Sequence, residues 1–281
     1  MNIVMLYFSG TGNTRLISRQ IEENLVLGGC CVHLIEAEDV LSGKMDLLRI
    51  LSEADLLGIG YPVYDLHEPE IITDLIERMP AGHSPSPVFQ YSTMGLIKGD
   101  CHAIVSRRLR KKNYYEIAGR SFICPSNGVF MYEDPGHPRN KTVRFEKGID
   151  KAVGYFCDTV LHSYRRFINS PFSITGMRNP VWEIARFFSE RLYGDKYYRN
   201  LAVTDRCSGC GVCVNSCPRN ILHISEGKVS INKSDGCMRC LRCVSLCPGG
   251  AITFTSAGLK KQYTAKVRDE LYQKAVSSQG R

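Results

Sequence analysis

Eight cysteines in the last third of the chain stand in two runs with identical spacing. Each run has the form Cys-x2-Cys-x2-Cys-x3-Cys-Pro, and the second repeats the first 30 residues later. A [4Fe–4S] cube needs one thiolate for each iron. Three cysteines at this spacing can hold one cube while the fourth ligates the other. We therefore assign Cys207, Cys210, Cys213 and Cys247 to one cluster, and Cys237, Cys240, Cys243 and Cys217 to the other.

Zinc is the rival interpretation of these cysteines. Structural zinc sites usually join two separate Cys-x2-Cys pairs, and two runs of four that each end in Cys-Pro fit that pattern poorly. Residues 205–255 closely resemble bacterial two-cluster ferredoxins. They differ from many of these in having arginines beside the ligands. Positive charge near a cluster favours its reduced form, so we expect a less negative potential than in an acidic ferredoxin. The arginines are Arg206, Arg219, Arg239 and Arg242.

A second candidate site follows the apolar run at residues 3–8. The loop Ser-Gly-Thr-Gly-Asn-Thr opens a helical pattern, and unpaired backbone N–H groups at such a helix start attract an anion. The loop lacks the Gly-Lys-Ser/Thr ending of a P-loop and the G-x-G-x-x-G pattern of dinucleotide sites. It therefore predicts a phosphate site whose ligands are Ser9, Gly10, Thr11, Gly12, Asn13 and Thr14.

The segments around this loop alternate between strand and helix patterns. Repeated strand–helix units predict a parallel sheet with helices on both faces, and ligands of such sheets bind beyond the carboxyl ends of the strands. A long helix over residues 141–168 completes the unit. The predicted strands are 3–8, 31–35, 55–60, 87–91 and 114–124, and the other helices are 14–27, 69–79 and 101–111.

Residues 1–165 resemble a flavodoxin through the phosphate loop and its place after an apolar first strand. The resemblance implies an α/β flavodoxin-like fold with a doubly wound, five-stranded parallel sheet of order 2-1-3-4-5. It also implies that the loop holds the phosphate of FMN and that either Tyr61 or Tyr64 stacks on the flavin ring. The implied ring contacts are Tyr61, Pro62, Val63 and Tyr64 after the third strand, Ser92, Thr93, Met94 and Gly95 after the fourth, and Asn127 after the fifth.

The order of the two parts resembles that of the flavodoxin–ferredoxin fusion proteins of anaerobes. We expect a flavodoxin-like FMN domain at 1–168, a linker with an amphipathic helix at 169–204, a small α+β ferredoxin-like domain at 205–255 and a basic tail at 256–281. The resemblance implies an electron-transfer protein that passes electrons between two [4Fe–4S] clusters and FMN and on to a redox partner of unknown identity.

Two other functions fit parts of the sequence. In the first, an FMN-dependent reductase acts on a small substrate and is fed by the clusters. The segment 128–140, with Tyr132, Glu133, Asp134 and His137, would then cover the flavin. In the second, the clusters sense iron, oxygen or redox state, and the basic segment 260–274 contacts a partner.

Composition limits the class of protein further. The chain has 281 residues, 43% of them apolar, and no apolar run approaches the roughly 20 residues of a membrane span. Thirteen cysteines in closely spaced runs favour a metal or cluster site in a reducing compartment. The first residues have the pattern of a strand rather than of a signal peptide, so we expect a cytoplasmic protein.

Charge is unevenly distributed along the chain. Residues 1–130 contain 12 Lys/Arg and 15 Asp/Glu, whereas residues 201–281 contain 12 and 5. A basic end could bind nucleic acid. Thiolate-ligated clusters are themselves anionic, so the excess could instead balance them, and we expect no nucleic-acid partner.

Overall fold

The computed structural model describes residues 1–82, 84–134, 136–174, 180–189, 200–232, 236–254 and 258–277. Strands and helices alternate through the first half, and short elements surround the cysteine runs in the second. The strands of the first half are β1 (Asn2–Tyr7), β2 (Cys31–Glu36), β3 (Leu56–Pro62), β4 (Ser86–Met94) and β5 (Tyr114–Ile123).

These five strands form one parallel sheet in the order β2-β1-β3-β4-β5. Strand β1 is buried from Ile3 to Tyr7, which explains its continuous apolar sequence, because a central parallel strand is covered on both faces. The order confirms the predicted flavodoxin-like fold. It reverses between β1 and β3, and the carboxyl ends of the strands at such a reversal leave a crevice for a ligand.

Helices cover both faces of the sheet. One face packs against Ile17 and Ile21 of the helix at 13–27 and against Val153 of the helix at 149–169. The other face packs against the helices at 70–78 and 101–110. No helix that the described residues form is long and apolar enough to span a bilayer. The helices are α1 (Asn13–Leu27), α2 (Ala37–Leu41), α3 (Leu47–Ser52), α4 (Glu70–Arg78), α5 (Cys101–Arg110), α6 (Asn127–Tyr132) and α7 (Ile149–Asn169).

Helix α7 is shorter than the helix predicted over residues 141–168. Gly148 adopts a left-handed conformation with φ 67° and caps the helix, which therefore begins at Ile149. Part of the preceding segment forms a 3-10 turn at Pro138–Thr142 instead. Proline favours the start of such a turn because its φ is already fixed and its missing N–H needs no partner.

The second half forms a small α+β unit. Strand β6 pairs antiparallel with β9, β7 pairs antiparallel with β8, and the two short helices pack together. This arrangement confirms the predicted ferredoxin-like fold. The elements are α8 (Pro180–Ser189), β6 (Leu201–Val203), α9 (Val212–Ser216), β7 (Leu222–Ser225), β8 (Lys228–Ile231), α10 (Arg242–Leu246) and β9 (Ile252–Phe254). The end of the amphipathic helix predicted in the linker, beyond Ser189, lies outside the described residues.

The segment expected to be a basic tail contains a helix, α11 (Ala265–Ser277), that packs against the first half. Leu271, Tyr272 and Val276 join the same core as α1 and α7. The Tyr272 hydroxyl donates to Gln20 Oε1 at 3.2 Å, and its ring meets Phe145 edge-on at 5.5 Å. After the cysteine runs, the chain therefore returns to the flavodoxin-like domain.

A carboxyl group is buried between β5 and α5. Glu116 accepts a hydrogen bond from Ser106, and one of its oxygens lies 3.9 Å from Nδ1 of His102. Burial raises the pKa of Glu116 to about 8 and lowers the pKa of His102 to about 3. Both side chains are therefore mainly neutral near pH 7.

Replacing Glu116 by glutamine should remove a pH-dependent part of the stability. The folded pKa lies above the unfolded value, so the proton on Glu116 stabilises the fold fully below the unfolded pKa and less as pH rises through the folded pKa. The variant's unfolding free energy relative to wild type should thus rise by up to about 1.4 kcal/mol per pH unit between about pH 4.5 and pH 8. Urea unfolding across this range measures it.

The exposed carboxyl of Glu53 provides the control, because its side chain is 63% exposed. Glu53→Gln should differ from wild type by a nearly constant amount over the same pH range. A constant difference for Glu116→Gln as well would contradict the assignment.

Candidate functional site

A cavity of about 410 Å³ opens at the carboxyl ends of β1, β3, β4 and β5. The loops that follow these strands line it, as expected at the reversal of strand order. It brings together most of the residues predicted to bind the flavin. These are Ser9, Gly10, Thr11, Asn13, Thr14, Pro62, Val63, Tyr64, Thr93, Met94, Gly95 and Asn127.

Hydrogen bonds fix the side chains of the phosphate loop, residues 9–14. Ser9 Oγ accepts from the Arg15 backbone N–H at 3.2 Å, and Thr11 Oγ1 accepts from the Asn127 amide. A hydroxyl that accepts in this way keeps its own proton to donate elsewhere. The first turn of α1 contains no acidic residue, so no carboxylate competes for these donors.

Gly12 is the phosphate-loop residue outside the cavity lining. It adopts φ 99° and caps α1, a conformation that favours glycine. The guanidinium of Arg268, from α11, lies so close to Gly12 that a Cβ at position 12 would overlap it. Helix α11 therefore places a guanidinium, itself paired with Asp269 at 2.9 Å, beside the phosphate loop, which the sequence pattern did not predict.

Asn13 connects the phosphate loop to both halves of the chain. Its amide donates to the Pro125 carbonyl at 3.2 Å, and its Oδ1 accepts from the Tyr263 hydroxyl at 2.7 Å. The Tyr263 side chain is fully buried, and burial raises its pKa above the ordinary range. Tyr263 therefore acts as a neutral donor that fixes the Asn13 amide.

The structure separates the two tyrosines that the sequence left as alternatives. Tyr61 is fully buried in the core, donates to Gln90 Oε1 at 2.9 Å and does not line the cavity. Tyr64 lines the cavity, and burial together with Cys240 raises its pKa well above the ordinary value. Ser92 also lies outside the cavity lining, because its hydroxyl bonds Ser121 and His102.

Cysteines of the two runs lie close to one another across the repeat. Burial raises the pKa of Cys213, and its neighbours Cys247 and Cys207 raise it further. Burial raises the pKa values of the first three cysteines of the second run, and in each case the nearby Cys217 adds to the effect. Cys247 thus lies near Cys213, and Cys217 lies near the first three cysteines of the second run. An exchanged fourth ligand requires this proximity, and the two ligand sets stay a prediction.

Backbone donors surround the sulfur atoms. The Val229 N–H points at Cys207 Sγ at 3.5 Å, and the Ala251 N–H points at Cys247 Sγ at 3.2 Å. All thirteen cysteines are free thiols, and in the described residues no three Cys, His, Asp or Glu side chains converge on one metal-ion position. A cube has a different requirement, because each thiolate binds its own iron. The donor set fits [4Fe–4S] clusters.

The second cysteine loop, residues 237–247, meets the phosphate loop directly. A Cβ on Gly10 would overlap both the carbonyl oxygen of Cys240 and the hydroxyl of Tyr64. Arg239, Cys240 and Leu241 line the same cavity as the phosphate loop. One side of the candidate flavin site therefore consists of a cluster-binding loop.

Two arginines fix this contact between the domains. Arg242 is 9% exposed, donates to the Ser9 carbonyl at 2.7 Å and pairs with Glu38. Arg219 pairs with Asp74 at 3.0 Å and with Glu70. Both had been expected to act on the clusters as bare positive charge, but their ion pairs offset part of it.

Three cavity residues belong to no predicted segment or motif, and only the folded loops bring them to the site. Leu96 and Ile97 line the cavity and are 61% and 48% exposed, and buried Cys124 lines it as well. Glu133 and Arg139 line it from the segment 128–140, which the reductase alternative placed over the flavin, and they form an ion pair with each other.

Comparison with known proteins gives separate matches for the two halves. A family model described as a 4Fe-4S dicluster domain matches residues 199–248. A ferredoxin from Methanothermococcus thermolithotrophicus is 45% identical over 51 residues, which cover 17% of this chain and 85% of that protein. An uncharacterized ferredoxin from Methanocaldococcus jannaschii is 40% identical over 48 residues, which cover 16% of this chain and 77% of that one.

Among solved structures, a flavodoxin from the domain Archaea aligns over 58% of this chain and 100% of its own length, with 13% identity and a TM-score of 0.39. The two-electron reduced flavodoxin of Megasphaera elsdenii aligns over 54% of this chain and 98% of its own, with 19% identity and a TM-score of 0.34.

The sheet order and the duplicated cysteine loops define the class of protein. It is a flavodoxin-like domain fused to a ferredoxin-like domain that matches the 4Fe-4S dicluster family model, and it is an iron–sulfur electron-transport protein. Through its cysteine-rich segment, the chain belongs to the 4Fe–4S dicluster ferredoxin family.

Replacing Gly10 by alanine should push the two domains apart at the cavity. The overlap with Cys240 is with backbone, so the cysteine loop has to move. We expect the unfolding free energy to fall by about 1–3 kcal/mol, as for other overpacked sites. Anaerobic denaturant unfolding measures it. Gly136→Ala is the control, because a Cβ there meets nothing within 4 Å and should change stability by less than about 0.5 kcal/mol. Equal effects would contradict the close approach.

Proposed function

We propose that this protein is an intramolecular electron-transfer protein with one FMN and two [4Fe–4S] clusters. Electrons pass between the clusters and FMN and on to a redox partner protein. The observation that carries this proposal is the shared cavity, which is lined on one side by the phosphate loop and on another by Cys240. A cluster loop that forms part of a flavin site brings the two cofactors next to each other.

FMN would be held mainly by groups of the flavodoxin-like domain. Ser9, Thr11 and Thr14 supply hydroxyl donors, and the backbone N–H groups at the start of α1 supply the rest. Arg268 adds a positive charge behind the loop. Tyr64, rather than Tyr61, is the aromatic residue available to the flavin ring. The cofactor supplies a centre that accepts one or two electrons, while the protein sets its distance and potential.

The clusters would occupy unequal positions. The set Cys237, Cys240, Cys243 and Cys217 lies nearer the flavin site, because Cys240 lines the cavity. The set Cys207, Cys210, Cys213 and Cys247 lies farther away, since none of its members lines the cavity. We call the cluster of the nearer set the proximal cluster and that of the farther set the distal cluster. Electrons that enter at the distal cluster would reach the flavin through the proximal one.

A substrate-reducing enzyme remains the alternative function, and one observation favours it. The segment 128–140 borders the cavity through Gly128, Val129, Glu133 and Arg139, so it could enclose a small substrate above the flavin. The exposed apolar side chains of Leu96 and Ile97 at the cavity edge favour a protein partner instead. A carrier should show slow turnover with small oxidants and fast exchange with electron-transfer proteins.

Anaerobic purification followed by cofactor analysis tests the proposal. Two [4Fe–4S] clusters require about eight irons per chain, and the single phosphate loop predicts about one FMN. A redox titration should resolve flavin and cluster signals in the same preparation. As an internal check, Cys217→Ala should disturb the proximal cluster, although Cys217 belongs to the first run.

Other results would reject it. A preparation that contains zinc in place of iron, or that binds no FMN when the flavin is added anaerobically, would contradict the proposed cofactors. Loss of the distal cluster rather than the proximal one in Cys217→Ala would contradict the exchanged ligation.

A further inference from the structure

The two cysteine loops share one backbone conformation but differ in sequence at two of its special positions. In the first loop, residues 207–217, Gly209 and Gly211 have φ 71° and 75°. The residues 30 positions later are Arg239 and Leu241, and they have φ 56° and 61°. The repeat therefore keeps the left-handed conformation while replacing glycine by residues with side chains.

This replacement costs stability. A residue with a Cβ in the left-handed region is less stable than glycine by roughly 1 kcal/mol. The cluster loop does not need these side chains for its backbone contacts. The backbone of Gly209 hydrogen-bonds Cys207, and the backbone of Arg239 hydrogen-bonds Cys237 in the same way. Left-handed backbone strain that occurs at these positions in only one copy of the repeat is typical of a functional site.

Both residues border the candidate flavin site, and Leu241 also belongs to the core of the ferredoxin-like domain. Arg239 and Leu241 line the cavity, and Leu241 is only 8% exposed. Arg239 also lies close enough to Cys237 for their charges to interact, so it borders both the proximal cluster loop and the cavity. In the first loop, a side chain at Gly209 would overlap the Gly227 carbonyl, and neither glycine lines the cavity.

We propose that Arg239 and Leu241 are flavin-binding residues supplied by the ferredoxin-like domain. The proposal rests on the proposed function and deepens it: FMN is held between the two domains rather than by the flavodoxin-like domain alone. Leu241 supplies apolar surface to the flavin and keeps water from the gap between the cofactors. Arg239 supplies positive charge to a cofactor that carries a phosphate and gains electrons.

The double variant Arg239→Gly/Leu241→Gly restores the glycines of the first loop and tests the proposal. We expect iron content to stay at the wild-type value in the double variant and in Arg239→Gly alone. The melting temperature without added FMN should fall in the double variant, because Leu241 also packs in the core, and should stay equal or rise in Arg239→Gly. The dissociation constant for FMN, measured by fluorescence quenching of the iron-loaded full-length protein, should increase at least tenfold in the double variant. A role confined to folding would lower the melting temperature and leave the dissociation constant unchanged.

Lys228→Gln is the charge control, because Lys228 lies beside Cys207 of the distal set as Arg239 lies beside Cys237. It should leave the FMN dissociation constant within twofold of wild type. An unchanged constant in the double variant would overturn the inference, and so would loss of iron or a lower melting temperature in Arg239→Gly. Failure of the wild-type protein itself to bind FMN would overturn the proposed function, and the inference with it.

Discussion

The close approach of two backbones determines how the rest of this molecule is arranged. The phosphate loop and the Cys240 carbonyl come so near each other at Gly10 that no side chain fits between them. Tyr64 occupies the same junction from β3. Because these contacts involve main chain on both sides, the domains cannot shift against each other without breaking them. A flexible tether between two carriers would not need such a fit.

The uneven charge of the chain is explained by this contact. Basic residues of the second half pair with acidic residues of the first: Arg242 with Glu38, Arg219 with Asp74, and Lys260 with Asp134. The Arg242 pair is largely buried, and burial raises the pKa of Glu38 despite the nearby guanidinium. A desolvated pair adds little net stability but fixes register, since breaking it leaves an unpaired buried charge. Part of the basic excess thus serves domain docking.

The sequence predicted the parts of the site that depend on local spacing. The cysteine runs predicted the ferredoxin-like fold and two ligand sets. The flavodoxin resemblance, which rests on the Ser-Gly-Thr-Gly-Asn-Thr loop after an apolar strand, implied the sheet order and twelve of the residues that line the cavity. What it could not predict depends on contacts between distant segments. Tyr263 and Arg268 lie about 250 residues from the loop they contact. The sequence of helix α11 is only weakly amphipathic. Its buried face is therefore recognised from its packing against the flavodoxin-like domain and not from the sequence pattern.

Local pattern left open a choice that tertiary contacts decide. Tyr61 lies within β3 and is buried in the core, while Tyr64, beyond the strand end, reaches the cavity.

Rapid mixing tests the central claim most directly. When the clusters are reduced by a low-potential one-electron donor, flavin reduction should follow with a first-order rate that is independent of protein concentration. A rate that rises in proportion to protein concentration would show electrons passing between molecules and would contradict the docked arrangement.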